Sequence, residues 1–333
     1  MIPAWLEAVI LGIVQGLTEF IPVSSSGHLV LVPYLMGWEK HSLAFDVMLH
    51  VGTLGAVLVY FRGELSAIVR GLLRLDRSPM GEVYRRVGLL LVPASVPVAV
   101  VGLALAGPIE DAFGSPLVAS LLLLVTATLL LTAEAIRSRR VRASGLVVDE
   151  LAPVPAGPGA TESTQRAWTG SWREGKGQVL DLTEAPVGLP LGEDASDPTG
   201  TDLSGITLRH AMTAGFAQCL AVLPGISRAG STITGGVFAG LTREAATRFS
   251  FLLAIPALVG ATILSLPDLA DGGEALAELA GGMLAAFVSG YLAIRFLVRL
   301  VSRERLTGFA YYCLAASAVG VIGWLMLGPP STV

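Results

Sequence analysis

The chain has 333 residues, 53% of them hydrophobic and only 14% charged. Soluble globular domains carry about 25% charged residues, so this composition excludes a soluble enzyme and points to a polytopic membrane protein. The net charge of −4 argues against nucleic acid as a partner. Cys219 and Cys313 lie in apolar stretches without metal-ligand or disulfide spacing. The first residues lack a basic segment and a small-residue cleavage site, so no removable signal peptide is expected.

In chain order, residues 1–37 do not fit a simple span. An apolar run of about 16 residues, about 24 Å as a helix, stops at Thr18-Glu19. A hydrocarbon core about 30 Å thick needs about 20 residues. The turn Pro22-Val23-Ser24-Ser25-Ser26-Gly27-His28 follows, and then the chain is apolar again. Spans are expected at 44–61, 87–106 and 116–136, the first of them marginal in length. Residues 143–205 are rich in Pro, Gly, Ser, Thr and acidic residues, and read as a hydrophilic, disordered cytoplasmic linker. They hold ten acidic and three basic residues, so the membrane body carries a net +3. Trp168 and Trp172 in this segment read as incidental aromatics.

The shape of 1–37 recurs in 208–241, where an apolar run breaks at Pro224-Gly225-Ile226-Ser227-Arg228-Ala229-Gly230-Ser231-Thr232. Three more spans follow, at 246–266, 279–300 and 308–327. Broken backbone at membrane depth is tolerated only when buried in protein or lining a wet cavity, so both breaks read as re-entrant helix pairs with polar tips. A shift of 203 residues aligns Gly12 with Gly215, Gln15 with Gln218, Leu17 with Leu220, Ser24 with Ser227 and Gly27 with Gly230. Arg-rich connections at 62–86, 137–142 and 299–305 alternate with acidic ones, which places the Arg-rich loops in the cytoplasm. The expected fold is an all-α polytopic membrane protein of six transmembrane helices plus two re-entrant pairs in an inverted repeat. Its parts are 1–142, the linker 143–205, and 206–333.

Ionisable groups at membrane depth are costly, at least about 2.5 kcal/mol for Asp or Arg at a helix centre. Glu19 and His28 flank the first turn, and Arg228 lies in the second beside Ser227, Ser231 and Thr232. Opposite signs at one depth offset each other's desolvation. Arg supplies bidentate donors to phosphate, Gly225 and Gly230 allow close backbone approach, and hydroxyls at a helix start sit at the positive end of its dipole. Glu19 can bind a divalent cation or act in acid–base chemistry, and His28 can act as base or nucleophile. Gln15, one helical turn before Glu19, can orient water or offer a carbonyl oxygen to the metal. His210 and Glu7 read as interfacial, and Glu134 as a surface ion pair with Arg137. Asp46 and His50 share a helix face, either supporting the site or satisfying each other.

Two motifs carry a family resemblance. Gln15 through Glu19 followed by Pro22-Val23-Ser24-Ser25-Ser26-Gly27-His28 resembles the first signature of the undecaprenyl-diphosphatases, also called bacitracin-resistance proteins. Pro224-Gly225-Ile226-Ser227-Arg228 through Thr232 resembles the second, and the similarity continues through Arg248–Pro256. It covers essentially everything except 143–205. The resemblance implies an enzyme of the bacterial inner membrane that hydrolyses undecaprenyl diphosphate to undecaprenyl phosphate and inorganic phosphate, recycles the cell-wall lipid carrier and confers bacitracin resistance. It also implies dependence on a divalent cation, magnesium or calcium, and a site opening to the extracytoplasmic face. Ala229 stands where the second signature usually has Ser, and Gln15 weakens any mechanism that needs two carboxylates.

On this reading Glu19, Ser25, His28 and Arg228 are the expected catalytic residues, with Ser25 or His28 the nucleophile. Gln15, Ser24, Ser26, Ser227, Gly230, Ser231 and Thr232 are expected to bind the head group. Glu19 and Gln15 are the expected metal ligands. The expected partners are the lipid diphosphate and membrane lipid. Sequence leaves a homodimer open. The alternative is a polyprenyl-phosphate flippase or secondary transporter using the same midplane site. Acid-phosphatase-like lipid phosphatases need a further His after the Ser-Arg pair, and none follows His210.

Overall fold

The computed structural model describes residues 2–39, 41–143, 200–264, 275–301 and 306–330. Among these the chain is helical, and the only strand-like pairing is an isolated bridge between Thr201 and Leu241. The helices are α1 (Ala4–Phe20), α2 (Ser25–Met36), α3 (Leu43–Tyr60), α4 (Arg62–Leu72), α5 (Pro79–Ala104), α6 (Ala106–Phe113), α7 (Pro116–Ala143), α8 (Leu208–Gln218), α9 (Arg228–Ala239), α10 (Arg243–Leu264), α11 (Leu276–Val301) and α12 (Thr307–Leu327).

Five of them, α5, α7, α10, α11 and α12, are long and apolar enough to cross a membrane. The expected first span differs. It is the 18-residue α3, which leaves the helical track at Phe61 and continues as α4 at 73° to it. The two together make a sixth, bent candidate. Large apolar side chains point outward from α5, with Val92, Val96 and Val100 all exposed. In water such a face would be an anomaly; against lipid it costs nothing. The chain is therefore a multi-pass membrane protein.

Both expected breaks are present, and local chemistry explains them. α1 stops at Phe20 because Ile21, preceding Pro22, is extended (ψ 134°). α8 tightens into a 3₁₀ turn over Cys219–Val222 and stops where Leu223 (ψ 140°) precedes Pro224. Each following helix restarts on a serine. Ser24 Oγ accepts from the Gly27 N–H, and Ser227 Oγ from the Gly230 N–H. At 17 and 12 residues, α1 and α2 each fall short of the bilayer.

The two halves exchange partners. α1 lies along α11, where Gly12 meets the Gly282 carbonyl and Gly16 meets the Ala286 carbonyl. Equivalently, α8 lies along α5, with Gly215 against the Ala94 carbonyl. α3 packs on α11 and α10 on α5, while α7 and α12 pair with each other. Glycines permit these approaches, which matter because lipid gives helices no hydrophobic drive to associate. At the centre, Phe251 makes edge contacts with Phe20 at 5.7 Å and Phe61 at 5.8 Å between ring centroids.

Three further sequence expectations need correction. Residues 200–205 belong to the fold and not to a linker: the Thr201 N–H donates to the Gly240 carbonyl, the Thr242 N–H to the Thr201 carbonyl, and Leu203 is buried. Ala143 likewise closes α7, while Trp168 and Trp172 lie outside the described residues. Glu134 is not on the surface. It is buried between Arg137 (3.1 Å) and Arg243 (3.6 Å), and it accepts from the Leu306 N–H. His210 is buried too, closing a capping box with Thr207 at the start of α8.

Candidate active site

The two breaks touch. A Cβ on Gly27 would lie 3.0 Å from Gly225 Cα, and Gly230 faces Pro22. Gly225 takes a left-handed φ of 94° and packs on the Ala119 carbonyl, which leaves no room for a side chain. Ser24 also has positive φ, 70°, a strained value for a residue with a Cβ. This geometry turns Ser25 to the start of α2. The N-termini of α2 and α9 thus converge from opposite halves, and each brings the positive end of a helix dipole to one place.

Glu19 is the hub. Its Oε1 accepts from Arg228 Nη2 at 3.0 Å, and its Oε2 accepts from Gln15 Nε2 at 3.1 Å and from the Ser25 hydroxyl. His50 Nε2 stands 3.9 Å from the same Oε2. The Arg228 and Glu19 side chains are 14% and 5% exposed, so this ion pair has lost most of its water. Such a pair persists only when further hydrogen bonds satisfy both ions. Arg228 has that support: Nη1 donates to the Ser250 carbonyl at 3.4 Å. Thr232 donates back to the Arg228 carbonyl and shares a hydrogen bond with the Ser250 hydroxyl.

Gln15, Glu19, Ser25 and Arg228 therefore form one bonded group. Ser24 and Ser26 share a hydrogen bond 3.2 Å long at the start of α2. Ser227, Ser231 and Thr232 are each at most 2% exposed. The oxygens of Ser227 and Thr232 bind their own turn, whereas Ser231 Oγ is buried without a partner. His28 is the exception. Its ring nitrogens bond the Ser24 carbonyl (2.6 Å) and the Tyr312 hydroxyl (2.7 Å) and not Glu19. His50 settles the open reading of its helix face: its Nδ1 bonds the Asp46 backbone oxygen at 2.7 Å, and its other nitrogen faces Glu19.

Sequence reasoning missed three contributors. Thr126 of α7 donates to the Gly225 carbonyl (2.8 Å) and accepts from the Ser227 N–H (2.9 Å), so one hydroxyl pins both sides of the second turn. Ser250 lies within the matched stretch Arg248–Pro256 and could have been singled out there. Tyr312 lies in a plain apolar span and carries no local signal.

Among the described residues no group of three His, Cys, Asp or Glu could hold a metal ion. The donors present fit a divalent cation only as part of a shell shared with a ligand. The Glu19 carboxylate and the buried, unpartnered Gln15 Oε1 are hard oxygens of the right kind.

A family model described as "Bacitracin resistance protein BacA" matches residues 8–152 and 186–319. Curated relatives agree along nearly the whole chain. The undecaprenyl-diphosphatase of Desulfosudis oleivorans is 40% identical over 96% of this chain and 98% of its own. That of Geobacter sulfurreducens is 36% identical over 93% and 95%. Undecaprenyl-diphosphatase 2 of Frankia alni is 37% identical over 95% and 96%.

Proposed function

The chain belongs to the bacitracin resistance protein family, and from that membership together with the site we propose that it is a membrane phosphatase that hydrolyses undecaprenyl diphosphate to undecaprenyl phosphate and inorganic phosphate. The observation that carries this reading is the meeting of two helix N-termini on Arg228, Glu19 and Ser25. Two dipole ends and a guanidinium favour a compact polyanion, and a carboxylate-bonded hydroxyl beside them provides a nucleophile. In a cell this activity would recycle the lipid carrier of wall synthesis and confer bacitracin resistance.

In the proposed mechanism Arg228 and the two N-termini bind the diphosphate while the prenyl tail stays in lipid. Ser25 Oγ attacks the terminal phosphorus, its proton passes to Glu19 Oε2, and undecaprenyl phosphate leaves. Water then cleaves the phosphoserine, with His28 Nε2 as the base. The contact between Ser25 and Glu19 favours Ser25 over His28 as nucleophile. Glu19 and Gln15 would hold a magnesium or calcium ion, which neutralises phosphate charge when bound.

The exchanged packing of α1 on α11 and α8 on α5 supports an inverted repeat. The Arg-rich loops support a cell-membrane orientation with the site open to the extracytoplasmic side. Paired broken helices also suit a carrier, and one experiment separates the two readings. Purified protein in detergent, which has no second compartment, should release phosphate from C55 diphosphate in the presence of magnesium or calcium. No release with either ion would favour a lipid carrier.

A further inference from the structure

Tyr312 stands on α12, outside both motifs, yet it makes the longest-range contact of His28. The Ser24 carbonyl can only accept, so the His28 nitrogen 2.6 Å from it, Nδ1, carries the ring proton. In the neutral imidazole Nε2 is then a bare lone pair, and the Tyr312 hydroxyl, 2.7 Å away, donates to it. The two rings also stack, with centroids 5.6 Å apart and planes 10° apart. The adjacent Cys313 packs its sulfur 4.0 Å from the Pro22 carbonyl, so α12 grips the first break at two consecutive residues. Among the described residues neither ring nitrogen of His28 bonds to Glu19, Ser25 or Arg228.

We propose that Tyr312 is a positioning residue for His28 in the hydrolysis: its hydroxyl fixes the ring in the tautomer with Nε2 unprotonated and covers that nitrogen until the attacking water, itself a donor, takes the phenol's place. This rests on the function proposed above. Without the hydroxyl, the ring is held at one nitrogen only. It can flip, and its lone pair is open to any small electrophile.

Two measurements on the purified full chain test this. The first is the rate at which diethyl pyrocarbonate acylates His28, followed by peptide mass mapping, which is tractable because the chain has four histidines. The second is kcat and KM for C55 diphosphate. Tyr312→Phe keeps the ring stack and should raise the His28 acylation rate about threefold or more, since acylation needs the lone pair. It should lower kcat about tenfold with KM within about twofold, because the variant misplaces the base and leaves the groups that bind the substrate untouched. The control is Tyr34→Phe, which removes another phenol bridging α2 to the far end of α12, at Gly328; it should change neither quantity. An unchanged His28 acylation rate in Tyr312→Phe overturns the proposal, as does Tyr34→Phe reproducing both effects, which would reduce Tyr312 to a tie between helices. Acylation needs no turnover, so a wild-type chain that releases no phosphate would sink the proposed function while the placement of Tyr312 is still decided.

Discussion

Arg228 donates to Glu19 across 209 positions of sequence, Nη2 to Oε1 at 3.0 Å, and this pair joins the two broken helices. The pair has two tasks. It lets each ion exist in a largely dry interior, and it leaves Arg228 with donors to spare beside a carboxylate-bonded serine.

Arg228→Ala should abolish phosphate release, down at least about a thousandfold, because oxyanion-type stabilisation lost with one donor is already about 10²–10³. It should also destabilise the protein by about 3–5 kcal/mol, since Glu19 is left buried and unpaired. In Glu19→Gln/Arg228→Met the orphan charge is gone, so the unfolding midpoint should recover while activity does not. Thermal unfolding in detergent and a phosphate assay check both parts. Near-normal turnover in Arg228→Ala would remove this residue from the site.

Thr126→Val keeps the shape of the side chain and deletes the hydroxyl that holds both the Gly225 carbonyl and the Ser227 N–H. Two buried backbone groups lose their partner, at about 1–3 kcal/mol each. The second turn should loosen, and kcat should fall about tenfold with the positioning of Arg228. Unchanged kcat and unfolding midpoint in this variant would show that the turn holds its shape without α7.

Much of this arrangement is legible in the sequence because its cause is local. Pro22 and Pro224 end helices at the residue before them, and Ser24 and Ser227 restart them, so both breaks announce themselves. The Arg228–Glu19 pair follows from the cost of isolated charge in a membrane. Thr126, Tyr312 and the surroundings of Glu134 are illegible for the opposite reason. Thr126 meets Gly225 from 99 residues away, and Tyr312 meets His28 from 284. Glu134 looks like the surface partner of Arg137 until the fold brings Arg243 and Leu306 over it. The bend after α3 is missed because apolar length says nothing of direction.

Gly12→Ala and Gly215→Ala should be destabilising to similar extents, because each added methyl meets a carbonyl of the other half's span, Gly282 or Ala94. Overpacking of this kind costs about 1–3 kcal/mol or more. Gly260→Ala, in α10 with nothing within 4 Å, is the control and should be neutral or stabilising. Equal unfolding midpoints for all three would mean that the close approach of the halves carries no stability.

Gln15→Glu places a second carboxylate one helical turn before Glu19, where Gln15 Nε2 now bonds Oε2 at 3.1 Å. If Glu19 and Gln15 hold a cation, two carboxylates should hold it more tightly, since affinity for hard cations follows ligand charge. The magnesium concentration for half-maximal phosphate release should fall about tenfold. Without cation, the same variant should be less stable than the parent, because two like charges then share a buried site and an amide donor to Glu19 is lost. A half-maximal concentration that does not move would exclude these two residues as the cation's ligands.

Ser25→Ala removes the hydroxyl that Glu19 binds and should lower kcat by at least about a thousandfold, as loss of a nucleophile does elsewhere. The two candidate nucleophiles leave chemically different traces. A phosphoserine survives acid and is lost in alkali, whereas a phosphohistidine is lost in acid. Quenching a reaction on terminally ³²P-labelled substrate into acid should therefore retain label on the peptide carrying Ser25, and Ser25→Ala should lose it. In Glu19→Gln the serine is present but its proton has no carboxylate to go to, so formation of the labelled species should slow in step with turnover. Label that appears only after an alkaline quench, and on the peptide of Ser25→Ala as well, would assign the attack to His28 and make Ser25 a ligand of Glu19.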